Sequence, residues 1–203
     1  MSAFEDWENR FSSDHYVFGK EANTFLVANA DKLPEHGNVL VVADGEGRNG
    51  VWLARRGLDV LSLDFSPAAQ VKARALADEY GVTMRIERAD VHQWAYPEAQ
   101  FDVVVEIFTQ FSDPDQRAQK WAGMLRALKP GGLLILQGYT PKQLEYGTGG
   151  PRRLENLYTR ALLEGTFTIL EKLEIAEEER EVDEGPGHRG MSALIGLTGY
   201  KRA

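Results

Sequence analysis

Apolar residues in this chain come in two patterns: short unbroken runs rich in β-branched residues, and longer stretches where they recur every three or four positions. Residues 39–42 are the first unbroken run, read as a buried strand. A helical stretch with Val51, Trp52, Leu53 and Ala54 follows, closed by Gly57, and a second strand covers residues 60–64. Ser66-Pro67 then supplies an N-cap and a first-turn proline. The helix they start carries Val71, Ala75, Leu76 and Tyr80 as its predicted buried stripe and stops at Gly81. Residues 82–87 alternate as a third strand, and residues 101–108 form a fourth, strongly apolar one. Asp113-Pro114 opens a further helix, with Ala118, Trp121, Ala122, Leu125 and Leu128 at helical spacing. The turn Lys129-Pro130-Gly131-Gly132 leads into a fifth strand at residues 133–136.

Strands thus alternate with helices from residue 38 to 138, the pattern of a parallel sheet covered by helices on both faces. After residue 139 the pattern changes. Residues 167–175 and 191–200 read as strands with no helix between them, so they are expected to pair as an antiparallel hairpin. The connecting region, residues 171–184, holds eight acids and two bases and reads as the solvated face of an edge strand. The first 36 residues are aromatic-rich, with Phe4, Trp7, Phe11, Tyr16, Phe18 and Phe25. Trp7 and Phe11 share a helix face, either as core packing or as a lid over a pocket.

Composition narrows the function. The chain has 203 residues, 31 acidic and 23 basic, for a formal charge of −8. Nucleic acid and anionic membrane are therefore not expected as partners, since both require positive fields. There is no cysteine, which excludes disulfides, thiolate catalysis and Cys-ligated metals. His15, His36 and His92 have no metal-ligand spacing, and Ser12, Ser13 and Ser112 lack a nucleophile-elbow context, so neither a metal site nor hydrolase chemistry is expected. With no bilayer-length apolar run and no signal-peptide pattern, a cytoplasmic protein is the expectation.

The strongest chemical signal is Gly45-Glu46-Gly47-Arg48-Asn49-Gly50, a G-x-G-x-x-G turn between strand and helix. Its glycines allow a tight turn and close approach of a ligand to the main chain, and the helix start offers free N–H groups. Nineteen residues after Gly45, Asp64 ends the second strand, where an acid accepts hydrogen bonds from ribose hydroxyls. Asp90, just past the third strand, is placed to take an adenine amino group. Glu106 and Phe108 end the fourth strand, where ligands bind in open α/β sheets. The turn and the acid fit NAD or S-adenosylmethionine (SAM). The closing hairpin and the lack of a second domain favour SAM.

On these residues the chain resembles the class I SAM-dependent methyltransferases over nearly its whole length. The matching pieces are residues 39–47, Asp64, Asp90-Val91 and, most specifically, Leu128-Lys129-Pro130-Gly131-Gly132. Val41 stands where the class carries an acid and Ala43 where it carries a glycine, while Asp44 brings an acid nearby. Within the class it is most similar to small-molecule enzymes of the tellurite-resistance and thiopurine methyltransferase type, through Gly45-Glu46-Gly47-Arg48-Asn49, Tyr139-Thr140-Pro141, Gly147-Thr148-Gly149-Gly150-Pro151 and residues 184–188.

The resemblance implies an α/β, Rossmann-like three-layer sandwich with a seven-stranded mixed sheet, order 3-2-1-4-5-7-6 and strand 7 antiparallel. One domain would span 1–203: an N-terminal helical lid (1–36), a SAM-binding core (37–138) and a substrate side (139–203). The activity implied is methyl transfer from SAM to a small-molecule nucleophile, a thiol, metalloid oxyanion or similar. The cofactor residues implied are Trp7, Phe11, Ala43, Asp44, Gly45, Gly47, Arg48, Asn49, Asp64, Phe65, Ser66, Asp90, Val91, Glu106, Ile107 and Phe108. His188, Arg48 and Tyr139 are the catalytic candidates, with Arg152 and Arg189 near the substrate mouth. Two alternatives stay open: a non-catalytic SAM-binding regulatory protein and an NAD-dependent oxidoreductase.

Overall fold

The two sequence patterns fold as one sheet with a hydrophobic layer on each face. The computed structural model describes residues 3–203, with side chains from residue 5 onward, so Phe4 lies outside the described side chains. In chain order, α1 (Ala3–Phe11) and α2 (Thr24–Ala28) precede β1 (Asn38–Val42), α3 (Arg48–Arg55), β2 (Asp59–Asp64), α4 (Pro67–Glu79) and β3 (Arg85–Arg88). Then come β4 (Phe101–Ile107), α5 (Pro114–Ala127), β5 (Leu128–Tyr139), α6 (Gln143–Tyr146), α7 (Arg160–Thr166), β6 (Leu170–Asp183) and β7 (Arg189–Lys201). The sheet order is β3-β2-β1-β4-β5-β7-β6, as the resemblance implies. β1 to β5 pair in parallel, and β7 runs antiparallel between β5 and β6.

Alternation along the central strands sends successive side chains to opposite faces. Leu40, Val42, Val104, Leu134 and Leu136 meet Trp121 and Met124 of α5 and Leu163 of α7. Val39, Val41, Val103, Val105 and Ile135 meet Leu26 of α2 and Leu53 of α3. Helix starts follow the sequence signals. The Ser66 hydroxyl accepts the Ala69 N–H at 3.1 Å, and Asp113 with Gln116 forms a capping box ahead of α5. No helix among the described residues is long and apolar enough to cross a membrane.

Five expectations need correction. The third strand starts at Arg85, not at residue 82, because the Val82 N–H is used to close the end of α4 on the Ala77 carbonyl at 3.0 Å. The fifth strand runs on to Tyr139 because β7 supplies an antiparallel partner along residues 133–139. The sixth begins at Leu170 and takes in most of the acidic region as strand, paired with β7 as far as Asp183 with Arg189. Its glutamates are edge-strand residues, as expected, but they do not form a linker. Two helix stripes are also rotated. Val71 is 64% exposed, and Ala73 and Ala77 face inward in α4. In α5, Ala118 and Ala122 are exposed while Lys120 is fully buried.

Candidate active site

Strand order reverses between β1 and β4, and their C-terminal ends open the crevice where ligands bind in this architecture. From β1 comes the turn Ala43–Gly47, with left-handed backbone at Ala43 (φ 52°), Gly45 (φ 61°) and Gly47 (φ 87°). A side chain at Gly47 would come within 2.7 Å of Ala73, so glycine there lets α3 lie against α4. From β4 comes Phe108, a non-glycine residue at φ 56°. Such a conformation persists only where the surroundings enforce it. Here the Phe108 N–H is bound to the Gln137 carbonyl at 2.9 Å, and the next residue, Thr109, is gripped from below. The buried Lys120 ammonium bonds the Thr109 carbonyl (3.1 Å) and hydroxyl (2.7 Å), the Ser112 hydroxyl (3.1 Å) and the Glu106 carboxylate (2.7 Å).

Two cavities open on this crevice. The smaller, about 70 Å³, is bordered by the predicted site residues Trp7, Phe11, Ala43, Asp44, Gly45, Arg48, Asn49, Asp64, Phe65, Ile107, Phe108 and His188, and also by Phe18, Gly19, Glu46 and Phe111, which are not predicted site residues. Gly47, Ser66, Asp90, Val91 and Glu106 do not border it. Val91 is packed in the core. Asp90 accepts from the His92 N–H and the Gln93 amide. Glu106 is wholly buried, bonded to Lys120 and to the Trp121 indole N–H at 2.6 Å. Ser66 hydroxyl donates to Glu8 of α1.

The larger cavity, about 580 Å³, is bordered by Phe18, Phe108, Phe111 and Tyr139, by the 147–152 loop and by Arg10 and Arg152. No carboxylate among the described residues borders it. Arg189 does not reach it and pairs at the surface with Asp183. Trp7, Phe18, Phe108, Phe111 and His188 border both cavities.

His188 stands at the junction, its ring centroid 4.4 Å from those of Phe18 and Phe108. Its buried Nδ1 has no hydrogen-bond partner among the described residues. Burial first, and then the Arg48 charge, push its pKa down to about 3, against a smaller upward pull from Glu184. Burial likewise pushes the Tyr139 phenol up to about 12. The His188 turn is tied to the cofactor side. Gly187 N–H donates to the Val17 carbonyl at 2.7 Å, and Arg48 pairs with Glu184 at 2.8 Å while also bonding the Phe18 carbonyl. Burial pushes Glu184 up, but Arg48 and donors from Thr24 and Asn23 outweigh it and hold its carboxyl below the ordinary value.

The carboxylates of the smaller cavity behave differently. Asp64 accepts the Gly45 and Ser66 N–H groups, each at 2.9 Å, and Asp44 accepts the Ser62 hydroxyl at 2.8 Å and the Gly50 N–H at 3.2 Å. Burial outweighs these bonds, raising Asp44 to about 7 and Asp64 to about 6.

Residues 39–132 match the model of a methyltransferase domain. A solved structure of TehB from Haemophilus influenzae superposes with a TM-score of 0.73 at 18% identity, covering 89% of this chain and 63% of that one. The N-methyltransferase NodS from Bradyrhizobium japonicum, solved with S-adenosyl-L-homocysteine (SAH), superposes at 0.70 and 14% identity over 98% of both chains. The chain has the class I SAM-dependent methyltransferase fold. Over 105 residues the chain is also 34% identical to a demethylmenaquinone methyltransferase of Deinococcus radiodurans, covering 51% of this chain and 43% of that relative. The chain spans less than half the length of this and other curated relatives it matches.

Lys120 and Glu8 are not marked by the sequence signals, and Glu184 is marked only as part of residues 184–188. Lys120 lies at an apolar helical spacing, which was a usable signal. The partners of Glu8 and Glu184 lie 58 and 136 residues away along the chain.

Proposed function

We propose that the protein is a cytoplasmic enzyme that moves a methyl group from SAM to a small-molecule nucleophile arriving already ionised. The observation that carries this reading is the junction of two unlike cavities at Phe108 and His188. The smaller has the glycine turn and Asp64, which suit an adenosyl cofactor. The larger has aromatic walls and two arginines, which suit a small anionic acceptor. In this reading residues 1–36 are the lid, 37–138 hold the cofactor and 139–203 supply the acceptor side.

When bound, SAM supplies an electrophilic methyl group on its sulfonium. Asp64 would hold the ribose hydroxyls, and Phe65 and Ile107 would offer apolar faces to the base. Arg48, locked on Glu184, positions the turn between the cavities. No residue bordering the acceptor cavity is suited to take a proton near neutral pH, with His188 titrating near 3 and Tyr139 near 12. A thiolate or a metalloid oxyanion needs no such base. The contribution of the chain is then orientation of the two reactants, with the free His188 nitrogen and the two arginines holding the acceptor.

Ligand present at about 100 times its dissociation constant stabilises by about 2.7 kcal/mol. For a domain of this size the melting temperature should rise by roughly 5–10 °C with SAM or SAH, and not with NADH. A rise with NADH alone would overturn the cofactor. Labelled methyl transfer to a panel of thiols, selenite, tellurite, phenols and alcohols tests the acceptor. Turnover is expected on the members ionised at the assay pH, and turnover confined to neutral alcohols would sink the reading.

A further inference from the structure

Helix α1 has nine residues, too few to hold a helix in water by itself, so its place is set by what it docks on. Its apolar contact is small. Trp7 and Phe11 stack with ring centroids 5.5 Å apart and pack with Val17, Phe18, Ala68 and Ala69. A polar anchor comes from Glu8. Its carboxylate accepts the Ser66 hydroxyl and, at 3.3 Å, the Ala68 N–H, both at the start of α4. A carboxylate is favoured there, because the first N–H groups of a helix carry positive potential and lack partners within it.

Glu8 itself borders neither cavity, but its neighbours on α1 do: Trp7 borders both, Phe11 the smaller and Arg10 the larger. The Arg10 guanidinium lies over the rings of Trp7 at 5.1 Å and Phe18 at 5.7 Å. Ser66, which Glu8 grips, also donates its N–H to Asp64 at 2.9 Å. One short loop, residues 64–68, thus supports an acid of the smaller cavity through its backbone and a wall of the larger one through Glu8. Resting on the reading of the larger cavity as the acceptor side, we infer that Glu8 is a positioning residue for methyl transfer: it fastens α1 to the start of α4 and so sets Trp7 and Arg10 as walls of the acceptor cavity. Trp7 is placed directly, as the chain neighbour of Glu8, and Arg10 is placed through the Trp7 ring. Phe18, which completes this wall, is held separately, because Glu46 accepts the Val17 and Phe18 N–H groups at 2.8 and 3.3 Å. Loss of Glu8 therefore loosens one side of the cavity and leaves the other standing.

The test pairs Glu8→Ala, which removes the anchor, with Glu8→Gln, whose amide oxygen can still accept from Ser66 and Ala68. Amide hydrogen exchange in the free proteins reads α1 directly. In Glu8→Ala the amides of residues 8–12 are expected to exchange roughly tenfold faster while those of β1 and β4 are unchanged, and in Glu8→Gln they should stay within about twofold of wild type. Steady-state kinetics use whichever of the panel of thiols, selenite, tellurite and phenols is methylated fastest. The acceptor KM should rise roughly fivefold or more in Glu8→Ala while kcat falls by less than about twofold, because binding at the acceptor wall has been lost. Glu8→Gln should restore the wild-type KM. Unchanged exchange in α1, or faster exchange there with an unchanged acceptor KM, would overturn the assignment. Faster exchange throughout the sheet with a lower melting temperature would make Glu8 a general prop of the fold and overturn it as well. Glu8→Ser, read for the same outcomes, replaces the alanine form if that folds poorly. Failure of the wild type to methylate any member of the panel would count against the acceptor reading itself and is seen before any variant is made.

Discussion

Lys120→Met is expected to cost about 3–5 kcal/mol of stability, the usual effect of stranding one member of a buried ion pair. That corresponds to a fall in melting temperature of roughly 6–20 °C. The loss arises because the Glu106 carboxylate, wholly buried, would keep only the Thr109 hydroxyl, the Trp121 indole and a long contact from Tyr158. Lys120→Met combined with Glu106→Gln removes both charges and should recover most of the loss. Thermal or urea unfolding of the single and double variants measures this, and a single variant as stable as wild type would mean that the pair carries no such strain. The consequence reaches the site, because Lys120 also grips Thr109 and Ser112 on either side of the strand-end loop that carries Phe108 and Phe111. Ser112 in turn meets the His92 Nε2 at 2.8 Å, and His92 Nδ1 meets Asp90 at 3.1 Å. A polar spine thus runs from the surface at Asp90 to the core at Trp121, beneath the walls of both cavities.

Acid should destabilise the protein through His188. In the fold its ring takes a proton only near pH 3, whereas in the unfolded chain it does so near the ordinary value of 6.5. Between those values the unfolded chain binds more protons, so stability rises with pH. The contribution is complete above pH 6.5 and is lost as pH falls toward 3, about 5 kcal/mol in all. Asp44 and Asp64 act in the opposite sense. Their raised values make their contribution complete below the ordinary aspartate range and lost as pH rises through about 6 and 7. Comparing wild type with His188→Gln cancels the aspartates. The stability difference between the two proteins should shift against the wild type by about 5 kcal/mol from pH 6.5 to 3. Parallel pH profiles would place the imidazole in water.

The parts of the fold that could be read in advance are those with local causes. Unbroken apolar runs gave β1, β2 and β4, and the caps at Ser66 and Asp113 gave the starts of α4 and α5. The placement of the glycine turn and Asp64 beside one cavity was legible for the same reason, since it depends on backbone geometry at a strand end. What escaped depends on distant partners. Lys120 looks like a surface residue until Glu106 is placed opposite it. Glu106 and Asp90 stand at the strand ends where ligand contacts are expected, yet their carboxylates turn to Trp121 and to residues 92 and 93. The length of β6 was hidden because its glutamates conform to an edge that only β7 defines.

Trp7 belongs to the wall of both cavities, and this has a kinetic consequence. The 70 Å³ beneath α1 is well short of the roughly 300 Å³ at which ligand pockets begin. On the proposed reading, α1 would move aside to admit an adenosyl group, and that movement would take Trp7 from the acceptor side as well. The acceptor cavity is whole only after α1 has settled back over the first ligand. An enzyme of the proposed kind built this way would take its cofactor first and release the spent form last. SAH would then inhibit competitively against SAM but not against the methyl acceptor.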